Sequence, residues 1–310
     1  MSFSHREETR GDQILDILTE NEPGIRLIVS RLGAELISLA RRDATGNWIG
    51  FLYRDDDLSA PSKGWANHAT VMGYYLHRLK NQRSLYRGRQ IEGGTHSFLR
   101  TKQWELAHAK DGRLTYRMER RNFSETEYPL DVPLDLSYEI AGEDVRVRFK
   151  FDNREAKATA HVGFGLHPGF AATSFDSFHL SMPPGVYRRH FAPGNFLSGE
   201  TEDIDFPGGE MPSAREALPG SYILEMIDVP AARFLYSDLP TRRQVALDFT
   251  DVPYVTFWSD GGPFLCVEPC WGLTDHHQQR AFEDKEGIQT IAPGAELHAS
   301  FVMRPRLGVG

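Results

Sequence analysis

The chain has 310 residues, with 35 Lys and Arg against 43 Asp and Glu and a formal net charge of −8. That balance argues against a sequence-independent nucleic-acid binder, which needs a basic surface, and no run of about 18 apolar residues offers a membrane span. The two cysteines, Cys266 and Cys270, lack the second pair that would complete a zinc site, and the N-terminus has no secretory apolar core. We therefore expect a soluble cytoplasmic protein, one domain over residues 1–310, monomeric or homodimeric, with a small-molecule partner and no metal.

Short strands are predicted at 13–19, 24–30 and 34–41, divided by Asn21-Glu22-Pro23 and Gly33, with a hairpin return at 48–53. Residues 65–78 carry aromatics and histidines without clean periodicity, as segments that line sites often do. A short hairpin at 84–91 leads to a glycine-paired loop at 93–100.

Strand-length runs follow at 104–108, 114–120, 134–140 and 145–151. The last of these, Val145-Arg146-Val147-Arg148-Phe149-Lys150-Phe151, alternates apolar and cationic residues, the pattern of an antiparallel strand with one face in water. Further strands are predicted at 158–166, 174–182, 186–191, 222–226, 232–236, 244–249, 254–258, 264–268, 288–291 and 295–303. Residues 192–220 read as a long surface excursion, and 276–283 as a short helix. Nearly twenty short strands imply an all-β fold, a large two-sheet sandwich with few short helices.

Glu268 ends an otherwise apolar run, Phe264-Leu265-Cys266-Val267-Glu268-Pro269. It shares a strand face with Cys266 and Phe264, while Leu265 and Val267 point the other way. Pro269 is expected to end the strand and leave the carboxylate near a strand end, where it can act as a general base, or alternatively pair with a nearby arginine at a sheet edge. Pro168 does the same after His167, itself a structural hydrogen-bonding residue or a catalyst. His276-His277 offers no metal site, because adjacent residues do not share a face.

Arg78 in His-Arg-Leu-Lys-Asn, His96 in His-Ser-Phe-Leu-Arg, His167 in Gly-Leu-His-Pro-Gly-Phe and Glu268 in Val-Glu-Pro-Cys-Trp-Gly resemble, in this order, the aldose 1-epimerase (galactose mutarotase) family, in its divergent bacterial branch. The resemblance runs from about Gly33-Ala34-Glu35 to Ala292-Pro293-Gly294. It implies a β-supersandwich whose open cleft binds a monosaccharide and interconverts its α and β anomers without metal or organic cofactor. It also implies Glu268 as catalytic base, His167 as catalytic acid, and His96 and Arg78 as substrate-holding residues. Trp271 is a candidate for stacking on the sugar, with a place in the core as the alternative. The family's acidic sugar-binding residue falls on Asp228 or Asp238. Gly169 departs from the pattern, since a large aromatic usually follows the His-Pro pair.

Two other readings stay open: a non-catalytic carbohydrate-binding protein on the same fold, and a hexose-6-phosphate 1-epimerase using the charges of Arg78, Lys80 and Arg100. A glycoside hydrolase fits less well, because it needs two carboxylates and the sequence offers one strong candidate.

Overall fold

The structure, a computed structural model, describes residues 2–308. Its centre is two antiparallel sheets. One has nine strands, with Arg243–Asp248, Glu296–Leu307, Asp144–Asp152 and Leu134–Ala141 as neighbours in its middle. The other orders Thr201–Phe206, Gly185–His190, Gly220–Asp228, Tyr254–Ser259, Phe264–Trp271, Ala160–Ala171 and Gln289–Ile291, with Ala69–Tyr74 also paired to Ala160–Ala171. A five-stranded N-terminal meander and the hairpin Arg83–Tyr86/Arg89–Glu92 complete the strands.

Alternation sets which face is buried. Along Asp144–Asp152 and Leu134–Ala141 every second residue is buried, so one face of each strand faces the partner sheet. Phe149 and Phe151 meet Phe164 of the eight-stranded sheet at ring-centroid distances of 5.1 and 4.7 Å. These aromatics and their aliphatic neighbours form the core between the two sheets. Ala69–Tyr74 is buried at every position, which is why its sequence shows no alternation.

Several expectations are corrected. The prolines do not end their strands: Ala160–Ala171 runs through Pro168 and Phe264–Trp271 runs through Pro269. Residues 276–283 form no α-helix, because His276 bridges to Leu197 and the His277 N–H donates to the Leu197 carbonyl at 2.9 Å; only their last two residues enter a 3-10 turn, Phe282–Asp284. The 192–220 stretch holds the strands Thr201–Phe206 and Gly209–Glu210 and the helix Pro212–Glu216. Phe3–Arg10 is a further strand, too polar and exposed to show a pattern, formed by pairing with Gln13–Glu20. Among the described residues no helix is long and apolar enough to cross a membrane.

Candidate active site

The outer face of the eight-stranded sheet carries the site. Ala160–Ala171 and Phe264–Trp271 pair at Phe164/Trp271 and Gly165/Cys270, and again at Gly169/Cys266 and Phe170/Leu265, in one unchanged register. Between those pairs the ladder is open, at the two prolines that have no N–H to give. The register puts His167 opposite Glu268 in that gap. Thr70 lies across from His167, Thr256 across from Glu268, and Ile223 across from Thr256. Together these five side chains make one row on the face turned away from the core.

Glu268 is almost fully buried, at 1% exposure, and both its oxygens face imidazoles. His167 Nε2 lies 3.2 Å from Oε1, and His77 Nε2 lies 3.2 Å from Oε2. The His167 ring is enclosed by Trp65, stacked at 5.1 Å, and by the edge-on Trp258 at 5.6 Å. His96 sets its ring edge-on to His167 at 5.0 Å and to His77 at 5.7 Å. Its backbone N–H donates to the His77 carbonyl at 2.7 Å, joining the two loops. His77, His96 and Ser97 all have positive φ, at 52°, 63° and 65°, a conformation uncommon for residues with a Cβ and concentrated at functional sites.

These residues surround a cavity of about 300 Å³, lined also by Asn67, Thr70, Arg78, Arg100, Asn195 and Thr274, a size suited to a small ligand. Burial lowers the proton affinity of His96 well below the ordinary imidazole value, and the nearby His167, His77, Arg100 and Arg78 lower it further. His167 is also lowered by burial, an effect that the Glu268 charge partly offsets. Glu268 is the one carboxylate in the lining.

Among the described residues a metal would find one donor set: atoms of His77, Glu268 and Cys270 lie within 4.8 Å of one another. Burial and the Glu268 charge, however, push the Cys270 thiol well above its usual range, which opposes the thiolate that metal binding requires. The His276 and His277 rings lie side by side at 4.3 Å, and His277 Nδ1 is taken up by the Leu197 carbonyl at 3.0 Å.

Residues 16–182 match the model of the family described as Aldose 1-epimerase. The chain belongs to that family. Its fold is similar to that of a galactose mutarotase related enzyme from Lactobacillus acidophilus, with TM-score 0.81, 23% identity, and 94% of this chain and 97% of that one covered. It is similar also to a galactose mutarotase-like protein from Lactobacillus casei, with TM-score 0.79, 20% identity, and 94% and 100% covered. The GalM/aldose epimerase homologue from C. elegans is more distant in sequence, at 12% identity with TM-score 0.71, and 99% and 100% covered. No curated protein sequence matches the chain. The aldose 1-epimerase match takes in Arg78, His96 and His167, and the sheet register adds Glu268 from beyond its end.

Four of the residues named from the sequence, Arg78, His96, His167 and Glu268, line the one cavity. Trp271 does not. It stands on the opposite face of its strand from Glu268, its ring stacked on Phe164 at 5.1 Å in the core and its Nε1–H bonded to the Asp251 carbonyl at 3.1 Å. The tryptophans at the cavity are Trp65 and Trp258. Neither aspartate reaches it: Asp228 is exposed at a strand end, and Asp238 is buried, accepting hydrogen bonds from Thr173 and Ser177. Gly169 is explained by packing, since a Cβ there would sit 2.4 Å from the Trp65 ring. Trp65 takes the space that a side chain at 169 would need.

Proposed function

We propose that this protein is an aldose 1-epimerase that interconverts the α and β anomers of a hexose by general acid/base ring opening, with Glu268 as base and His167 as acid. The observation that carries the reading is the pairing of His167 Nε2 and Glu268 Oε1 at 3.2 Å on the wall of one cavity. Glu268 takes the proton of the anomeric hydroxyl while the His167 imidazolium protonates the ring oxygen. The C1–ring-oxygen bond breaks, C1 becomes an aldehyde, and rotation about C1–C2 exposes its other face. Reclosure returns both protons, so nothing is consumed. Burial makes the His167 imidazolium a stronger acid, which suits donation to a weakly basic ether oxygen. Arg78 and His96, both in the cavity lining, hold sugar oxygens in this reading. In this reading Trp65 and Trp258 offer the apolar faces of the sugar a surface.

One observation favours a 6-phosphorylated hexose as a second reading. Arg78 and Arg100 both line the cavity, and among the described residues neither has a carboxylate within ion-pair distance. Lys80 stands apart from the lining, its ammonium over the Phe196 ring at 4.6 Å. Anomer exchange followed by polarimetry or NMR across free and 6-phosphorylated hexoses tests both. Acceleration over buffer is expected; tight sugar binding without acceleration would make the protein a carbohydrate-binding module.

A further inference from the structure

We infer that His77 is a positioning residue for the base: it anchors Oε2 of Glu268 and so dedicates Oε1 to the anomeric hydroxyl. The inference rests on the epimerase reading and adds to it a residue outside its acid, base and holding groups. Residue 77 sits at φ 52°, a conformation that glycine adopts freely and that is disfavoured for any residue with a Cβ. A side chain held there calls for a compensating contact, and the contact is with Glu268: Nε2 lies 3.2 Å from Oε2, with the imidazole mostly buried at 12% exposure. A carboxylate only accepts hydrogen bonds, so the shared proton belongs to His77 Nε2.

The two imidazoles on Glu268 then have different fates. His167 has to turn its proton toward the ring oxygen of a bound sugar, which releases Oε1 for the hydroxyl. His77 stays on Oε2 throughout and fixes the rotation of the carboxylate about its last bond. Its carbonyl also accepts the His96 N–H, so one loop pair places both the base and a sugar-holding ring. Without the anchor the carboxylate is free to rotate toward the Cys270 and Thr256 side chains beside it on the sheet face, and a base misplaced by about 1 Å is slowed on the order of 100-fold.

The test uses the full-length protein and the hexose that it turns over fastest. His77→Gly removes the ring and suits the backbone, so the strain relieved should offset part of the lost hydrogen bond and the thermal midpoint should fall by no more than a few degrees, while kcat should drop about 10- to 100-fold with KM within about threefold. His77→Gln keeps an N–H at similar reach and should restore kcat to within about threefold of wild type. A His77→Gly enzyme with wild-type kcat, or a Gln variant as slow as the Gly variant, overturns the anchor. Imidazole nitrogen NMR tests it apart from turnover: His77 should show the Nε2–H tautomer and lose that preference in Glu268→Ala. A Nδ1–H tautomer in the wild type overturns the inference even if the enzyme is active, whereas a wild type that fails to accelerate any anomer exchange overturns the epimerase reading itself.

Discussion

His167 and Glu268 face each other where two antiparallel strands stay in register but stop exchanging hydrogen bonds, Nε2 standing 3.2 Å from Oε1. Two prolines open that gap, and the strands on both sides keep it from widening. The two side chains are thus placed by sheet geometry rather than by flexible loops, and groups held on regular strands are positioned more accurately than groups on loops.

If the pair does the chemistry, Glu268→Gln should keep shape and hydrogen bonding while losing basicity. Turnover should fall by roughly 10²–10⁴-fold with sugar affinity little changed. His167→Asn should act alike, whereas Arg78→Ala should mainly raise KM, since its contact exists in ground and transition states both. Steady-state polarimetry separates the two classes. Full activity in Glu268→Gln would remove the base assignment.

Much of the fold is legible in the sequence because alternation is a two-residue pattern that burial enforces locally. Asp144–Asp152 shows it along its whole length. The position of Trp271 is readable by the same rule, since 268 and 271 differ by an odd number and so face opposite ways. Trp258 was not readable, because it reaches the cavity by pairing with Cys266, and register between distant strands is not written locally. His77 directly precedes Arg78 in the sequence, yet its contact depends on a left-handed backbone that the sequence signals only for glycine.

Gly169→Ala should disturb the site from behind. The added methyl would lie 2.4 Å from one Trp65 ring carbon and 3.1 Å from another, and a rigid indole cannot yield without leaving His167. Overpacking of this kind costs about 1–3 kcal/mol. Tryptophan fluorescence should shift, the thermal midpoint should drop by a few degrees, and turnover should decline; unchanged fluorescence with unchanged activity would mean that Trp65 is not fixed by this contact.

Acid should weaken the fold partly through His96. Because folding holds its proton affinity well below the ordinary value of 6.5, the unfolded chain takes up a proton near pH 6.5 that the folded chain refuses. This contribution to stability is complete above pH 6.5 and is lost as pH falls toward the folded value, at up to about 1.4 kcal/mol per pH unit. His96→Asn lacks it. Urea unfolding at pH 7.5 and 5.5 should show the variant gaining on wild type as pH drops, and a constant difference would show that His96 protonates alike in both states.

The loop carrying Arg78 is held by a buried ion pair whose members do not line the cavity. Asp275 and Lys285 are both nearly inaccessible, with Nζ 3.1 Å from Oδ1. Asp275 also accepts the Lys80 N–H at 2.8 Å through Oδ2, and its own N–H donates to the Arg78 carbonyl at 3.1 Å. Lys285→Met would leave that carboxylate buried without its counter-charge, which costs about 3–5 kcal/mol. Removing both charges in Asp275→Asn with Lys285→Met should recover much of the loss, because no unpaired ion remains and the amide oxygen can still accept from Lys80. Denaturant unfolding of the single and double variants should therefore be strongly non-additive, and KM should rise most in the single variant as the Arg78 loop loosens. Additive losses, or a Lys285→Met loss below about 1 kcal/mol, would mean that the carboxylate is satisfied by its backbone donors alone.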